Sequence, residues 1–301
     1  MPKAKFRLWC LFVVLLPLLL AACVGGGTAV ALPAAPAAGV PHVQGTVTVF
    51  AAASLTDAFK ALGAVLQQAN PGSTVTFNFG GSPTLRTQLA QGAHADVFAS
   101  ADAPNMQGAQ KEGSISGSPT IFAQNKLTVI VPAANPAGIT TLQDLAKPGV
   151  KLDLAEAAVP VGNYARQAFA KMGQDPGFGS TFGAAVAKNV VSYEADVKQV
   201  VAKVQLGEAD AGVVYQTDVT AAVRSALKLI AIPDQFNIIA QYPIAVVQGA
   251  PNADGAQAFI SFVLSPAGQA VLAKYGFTPP PVPGAVAASR GRSDPSGATG
   301  T

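Results

Sequence analysis

The stretch NVVSYEADVKQVVAKVQLGEADAGVVYQTDV (189–219) decides the reading of the fold. Val190–Tyr193 has the β-branched and aromatic character of a strand. Glu194-Ala195-Asp196-Val197 opens a helix, and Ala211–Tyr215 is a second short apolar run. A strand, a helix and a strand in so short a stretch form a βαβ unit, which belongs to α/β proteins with helices covering parallel strands.

The same alternation extends outward. Thr46–Phe50, Thr74–Phe79, Asp96–Ser100, Leu127–Pro132, Lys151–Ala155 and Ile239–Val247 read as strands. Leu55–Gln68, Pro83 to Gln91, Ala253–Leu264 and Ser265–Tyr275 read as helices. The expectation is an α/β fold with largely parallel sheets over 45–278, as one large domain or two lobes.

The ends differ. Residues 1–23 read as an export signal: a basic start, the apolar run Leu11–Leu20, then Leu20-Ala21-Ala22-Cys23. That ending resembles a bacterial lipobox, so Cys23 is the expected lipidation site, against an ordinary signal peptide with a chance Cys. Residues 24–44 read as an Ala/Pro/Gly tether and 279–301 as a disordered tail.

Charge and composition narrow the function. Of 19 Lys and Arg, Lys3, Lys5 and Arg7 lie in the expected signal, leaving 16 basic residues against 16 acidic ones. A neutral body argues against nucleic-acid binding, which needs clustered cations. With Cys10 and Cys23 both in the leader, and only His42 and His94 as histidines, neither a thiolate metal site nor a Cys-His pair is expected. No Walker loop, HExxH, GxGxxG or GxSxG motif stands at a strand–helix junction. Enzyme readings therefore start low, and no cofactor is expected.

Chemistry can sit at four turns where strands give way to helices. Ser54-x-x-Asp57 reads as a capping box, as does Thr141-x-x-Asp144. In FGGSPT (79–84), Ser82 reads as an N-cap with Pro83 in the first helical position. In VPVGNY (159–164), Gly162 permits close backbone approach; the fourth turn is Glu194–Val197. Helix starts present unpaired N–H groups, so several converging at one cleft would bind an anion without Lys or Arg. From capping alone, each serine reads more simply as a plain N-cap than as a ligand contact.

Six strings in order give the resemblance its specificity: AAASLTDAF (51–59), FGGSPTLRTQLAQGAHADVFASAD (79–102), VPVGNYARQAF (159–169), the 189–219 stretch, QYPIAV (241–246) and YGF (275–277). Together they resemble the molybdate-binding proteins of molybdate ABC transporters, over about 46–278. The resemblance implies a two-lobed periplasmic-binding-protein fold closing on a tetrahedral oxyanion. Lobe 1 would hold 45–128 plus 240–278 and lobe 2 would hold 129–239, with the hinge near 125–132 and 233–243. By motif, Ser54 and Ser82 would bind through hydroxyl and N–H, Val161 and Val197 through backbone N–H, and Tyr215 through its phenol. No protein–metal bond is implied, because the ligand is the oxyanion. Val161 departs from the commoner Ala, and Pro83 removes one N–H. Asp218 is expected as a helix cap, and Glu194 as an exposed or hinge residue.

The implied function is a monomeric, lipid-anchored extracytoplasmic protein that delivers molybdate, and tungstate with it, to an ABC permease and its ATPase. The alternatives are a carrier of another oxyanion such as sulfate or thiosulfate, a Ser-dependent hydrolase that would need His94, and a structural lipoprotein with a vestigial cleft.

Overall fold

A computed structural model describes residues 40–280. The expected export signal with Cys23, the expected tether up to residue 39 and the expected tail from 281 lie outside the described residues.

The strands are β1 (Thr46–Ala52), β2 (Thr74–Gly80), β3 (Val97–Ala99), β4 (Ile115–Asn125), β5 (Leu127–Pro132), β6 (Leu152–Ala155), β7 (Val190–Glu194), β8 (Ala211–Tyr215), β9 (Leu227–Ala231) and β10 (Ala240–Val247). The α-helices are α1 (Thr56–Ala69), α2 (Ser82–Ala90), α3 (Ala103–Lys111), α4 (Pro160–Gly173), α5 (Phe182–Lys188), α6 (Val197–Gln205), α7 (Ala253–Leu264) and α8 (Pro266–Lys274). They build two lobes around two five-stranded sheets, ordered β2-β1-β3-β10-β4 and β7-β6-β8-β5-β9.

Each sheet is mixed. The β2-β1-β3 and β7-β6-β8 trios are parallel, as the βαβ pattern requires. The remaining pairings, made by β10 in the first sheet and β5 in the second, are antiparallel. Strands β4 and β9, which complete this half of each sheet, are invisible to the pattern. Strand β4 carries Gly117 and Pro119, lies at a sheet edge and is mostly exposed at its start. Proline is tolerated at an edge, where no ladder partner needs its N–H. Strand β9 is short and mostly exposed.

Aromatic rings fill the first lobe. Phe59 lies 5.6 Å from Phe122 and 5.7 Å from Phe259, centroid to centroid, with all three fully buried. The second lobe is built on valines: Val129, Val200, Val204 and Val213 are buried between β5, β8 and α6. The end of the expected tether belongs to the folded body. Val43 is buried, its N–H donates to Asn70 Oδ1 at 2.9 Å, and Asn252 Nδ2 donates to the Gln44 carbonyl.

The chain crosses between sheets at Lys126 and again between β9 and β10. Asn237 ties the two crossings. It accepts from Leu127 N–H at 3.0 Å and donates to the carbonyls of Leu127 and Ile232.

The second lobe also buries a carboxyl that no motif revealed. Asp153, on β6, has no solvent exposure and no hydrogen-bond partner on either oxygen. Burial first, then the neighbouring Glu194 carboxylate, raise its pKa to about 7. Glu194, expected as an exposed or hinge residue, is itself buried. Against the cost of burial, bonds from Lys203 (2.7 Å) and Ser192 (2.6 Å) hold it below the usual range. A raised carboxyl pKa means the folded state binds the proton more tightly than the unfolded chain. The associated stability is therefore complete below about pH 4 and is lost as pH rises through 7. Asp153→Asn should remove this term. Urea unfolding should find the variant more stable than the parent at pH 8 by roughly 2–4 kcal/mol, with a smaller gap at pH 5. A parallel offset at both pH values would refute this account.

Candidate ligand-binding site

Strand β1 runs into a 3-10 turn at Ala53–Leu55 before α1 begins. Ser54 sits in that turn, buried, with Oγ 3.0 Å from Tyr242 Oη. It does not cap α1, so the expected Ser54–Asp57 box is absent. The intervening 3-10 turn moves the helix start past Ser54, and Asp57 instead pairs with Lys198 at 3.0 Å. In the Thr141–Asp144 pair, Asp144 does accept from the N–H of Thr141 at 2.8 Å, and from that of Thr140.

Strand β2 ends at Gly80, and Gly81 takes the N-cap position of α2, one residue earlier than expected. Ser82 is therefore the first helical residue and Pro83 the second. Ser82 Oγ accepts from Ala101 N–H at 3.1 Å. With that lone pair used, its proton remains available to another acceptor. Its backbone N–H belongs to the helix start, where no intrahelical acceptor exists.

The second lobe adds two more helix starts. Helix α4 begins at Pro160, which has no N–H, so Val161 carries the first donor of that helix. Gly162 allows the close approach expected of it: a Cβ there would collide with the carbonyls of Ala155 and Glu156. Helix α6 begins at Val197, after Asp196. Asp196 Oδ1 accepts from Lys198 and Gln199 N–H at 2.8 and 3.2 Å, which leaves the Val197 N–H outside the cap.

Tyr215 ends β8. Only 1% of it is exposed, and its Oη has no hydrogen-bond partner. Burial, then the neighbouring Tyr242, push its pKa well above 10, so the phenol keeps its proton. Asp218 accepts from Tyr215 N–H at 3.1 Å, the capping role expected of it.

Ser54, Ser82, Val161, Val197 and Tyr215 all line one small, tight cavity between the lobes. No Lys, Arg or His lines it. Its one carboxylate, Asp196, is occupied by its own helix start and by Gln199 Nε2 at 3.0 Å. The lining therefore offers donors and no free acceptor, which suits an unprotonated anion. Among the described residues, no group of His, Cys, Asp and Glu could hold a metal ion. His94 lines a different groove, beside Glu112, so the serines have no histidine partner in this cavity.

Three neighbours of the cavity were not singled out from sequence. Tyr242 lies within the QYPIAV string, Asn125 ends β4, and Lys198 bridges Asp57 of the first lobe and Asp218 (3.6 Å) of the second. Burial raises the Asp218 pKa to about 6, although Lys198 opposes the shift. Lys198 lies within the 189–219 stretch, but nothing there marks it as a bridge. Asn125 and Tyr242 carry no motif of their own.

Comparison with known proteins agrees with this architecture. The molybdate-binding protein ModA of Mycobacterium tuberculosis is 36% identical over 248 residues, 82% of this chain and 90% of that protein. The sulfate-binding protein SubI of M. tuberculosis superposes with a TM-score of 0.70 at 21% identity, covering 82% of this chain and 90% of that one. The periplasmic molybdate-binding protein of Azotobacter vinelandii gives 0.67 at 20% identity, covering 78% of this chain and all of the other. At these identities the two structures speak to the fold. A family model described as bacterial extracellular solute-binding protein matches residues 47–278. The chain belongs to the bacterial extracellular solute-binding protein family.

Proposed function

We propose that this protein captures molybdate, and tungstate with it, between its lobes and delivers it to an ABC permease and its ATPase. The carrying observation is the Tyr215 phenol: protonated, buried, unpartnered, and lining the same cavity as two serine hydroxyls and three helix starts. Ser54, Ser82, Val161, Val197 and Tyr215 then hold the oxyanion, and no bond forms between protein and metal. The ligand passes through unchanged. Lipid attachment at Cys23, after the Leu20-Ala21-Ala22 sequence, would keep the protein at the membrane that holds the permease.

Magnitudes allow binding without a cation. A hydrogen bond to a charged partner contributes roughly 1.5–3 kcal/mol net. Five to seven donors give a gross stabilisation of about 8–20 kcal/mol, from which association and closure costs are taken. Micromolar to nanomolar affinity, about −8 to −12 kcal/mol, is within reach.

A second reading is sulfate, because a sulfate-binding protein of Synechococcus elongatus is 30% identical over 69% of this chain and 65% of that protein. Sulfate has the same charge and shape with shorter bonds, so the spacing of donors across the cavity must discriminate. Titration calorimetry under metal-free conditions should find molybdate and tungstate within about tenfold of each other. Sulfate should bind on the order of 100-fold more weakly. Hydrogen phosphate, whose proton finds no acceptor, should give no heat. Sulfate binding more tightly than molybdate would replace the first reading with the second, and no heat from any tetrahedral oxyanion would reject both.

A further inference from the structure

Asn125 is 3% exposed and stands at the end of β4, immediately before the chain crosses to the second sheet. Its amide orientation is fixed, because Oδ1 accepts from Lys126 N–H at 2.9 Å. Both hydrogens of Nδ2 therefore point elsewhere, and they point to different lobes. One goes to Thr217 Oγ1 at 2.7 Å, in the turn that follows Tyr215. The other goes to Tyr242 Oη at 3.3 Å, on β10 of the first sheet.

The direction of the next bond follows. Tyr242 is fully buried, and burial raises its pKa well beyond the ordinary tyrosine range, so it stays a phenol. Its oxygen accepts from Asn125 and lies 3.0 Å from Ser54 Oγ. Had Ser54 been the donor in that pair, the Tyr242 proton would be left buried without an acceptor, which is costly. Tyr242 therefore donates to Ser54, and the Ser54 hydroxyl keeps its own proton for the cavity it lines.

We infer that Asn125 is a positioning residue: through Tyr242 it orients the Ser54 O–H toward the bound anion, and through Thr217 it makes that orientation depend on the lobes being together. This rests on the oxyanion reading above and adds a coupling between the interlobe crossing and one ligand donor. When the second lobe swings away, Asn125 loses Thr217 and its amide is no longer held between two acceptors. The Ser54 donor is thus fixed only in the closed form, which gives closure a differential interaction with the ligand. Connected hydrogen bonds also polarise one another, so a donor at the end of a chain is strengthened by the links behind it.

The test is a pair of double-mutant cycles on molybdate affinity by titration calorimetry, with ligand-free melting temperatures measured alongside. Asn125→Ala and Tyr242→Phe should each weaken binding about 5- to 10-fold in the parent, and less than about twofold in a Ser54→Ala background. A residue that merely stiffened the crossing would cost the Ser54→Ala protein as much as the parent. Additive losses would therefore overturn the inference. Should Asn125→Ala fail to fold, Tyr242→Phe, which removes a single oxygen, decides the same question. If the parent binds no oxyanion, the functional reading fails and this inference falls with it. If the parent binds normally and the losses add, only this inference fails.

Discussion

Gly81→Ala is expected to abolish tight ligand binding while leaving the protein folded. Gly81 has φ −62° and ψ 136°, a conformation that alanine adopts without strain. The obstacle is space. A Cβ on Gly81 would collide with the carbonyl oxygen of Ala195, which belongs to the opposite lobe, and would sit 3.6 Å from Val159 Cγ2. A backbone carbonyl just before the α6 cap cannot swing aside as a flexible side chain would. The variant must hold its lobes apart, and in the open form the added methyl meets no such obstacle. Val161, Val197 and Tyr215 then leave the reach of Ser54 and Ser82, so the anion keeps only two of the five proposed contact residues that line the closed cavity. Because apparent affinity falls with the fraction of closure-competent protein, molybdate binding should drop on the order of 100-fold or more. Small-angle scattering should show no contraction on adding molybdate, while the ligand-free melting temperature stays near that of the parent. Parental affinity in Gly81→Ala would mean that the lobes need not approach this closely, and that the cavity described here is not the binding geometry.

The limits of the sequence reading are visible at particular residues. The βαβ stretch at 189–219 places β7, the start of α6 and β8 nearly to the residue, because strand composition and a helix start are both local signals. The five cavity residues entered through motifs, and they meet because each motif ends a strand at the cleft face of its sheet. Details at the turns were one residue out. Gly81 rather than Ser82 caps α2, and a 3-10 turn separates Ser54 from α1. Helix starts admit several local solutions of similar energy, and contacts from distant residues choose among them: Tyr242 for Ser54, and Ala101 for Ser82. Strand β4 escaped because an edge strand has one side to satisfy and tolerates Pro and Gly. Asp153, Asn125 and the Lys198–Asp57 pair escaped for a different reason. Each depends on a partner far along the chain, and a single acid or amide in a neutral body carries no periodicity.

Tyr215→Phe separates a ligand contact from a structural hydroxyl by the sign of its effect on stability. The Tyr215 Oη is buried with no partner inside the protein. A buried polar group without a bond lowers stability by about 1–3 kcal/mol, and deleting it relieves that penalty. The ring remains, 5.9 Å from Tyr242 in an edge-on contact, so packing is preserved. The ligand-free melting temperature of Tyr215→Phe should therefore hold or rise. Molybdate affinity should move the other way, falling on the order of 10- to 100-fold as a charge-assisted bond in a dry site disappears. Ser54→Ala offers no such contrast, because removing Oγ also strips Tyr242 of its acceptor. Since burial pushes the Tyr215 pKa well above 10, this donor does not titrate between pH 6 and about pH 9, and the affinity gap between parent and variant should be constant across that window. A fall in ligand-free stability with unchanged affinity would show instead that the hydroxyl serves the fold, and would remove Tyr215 from the site.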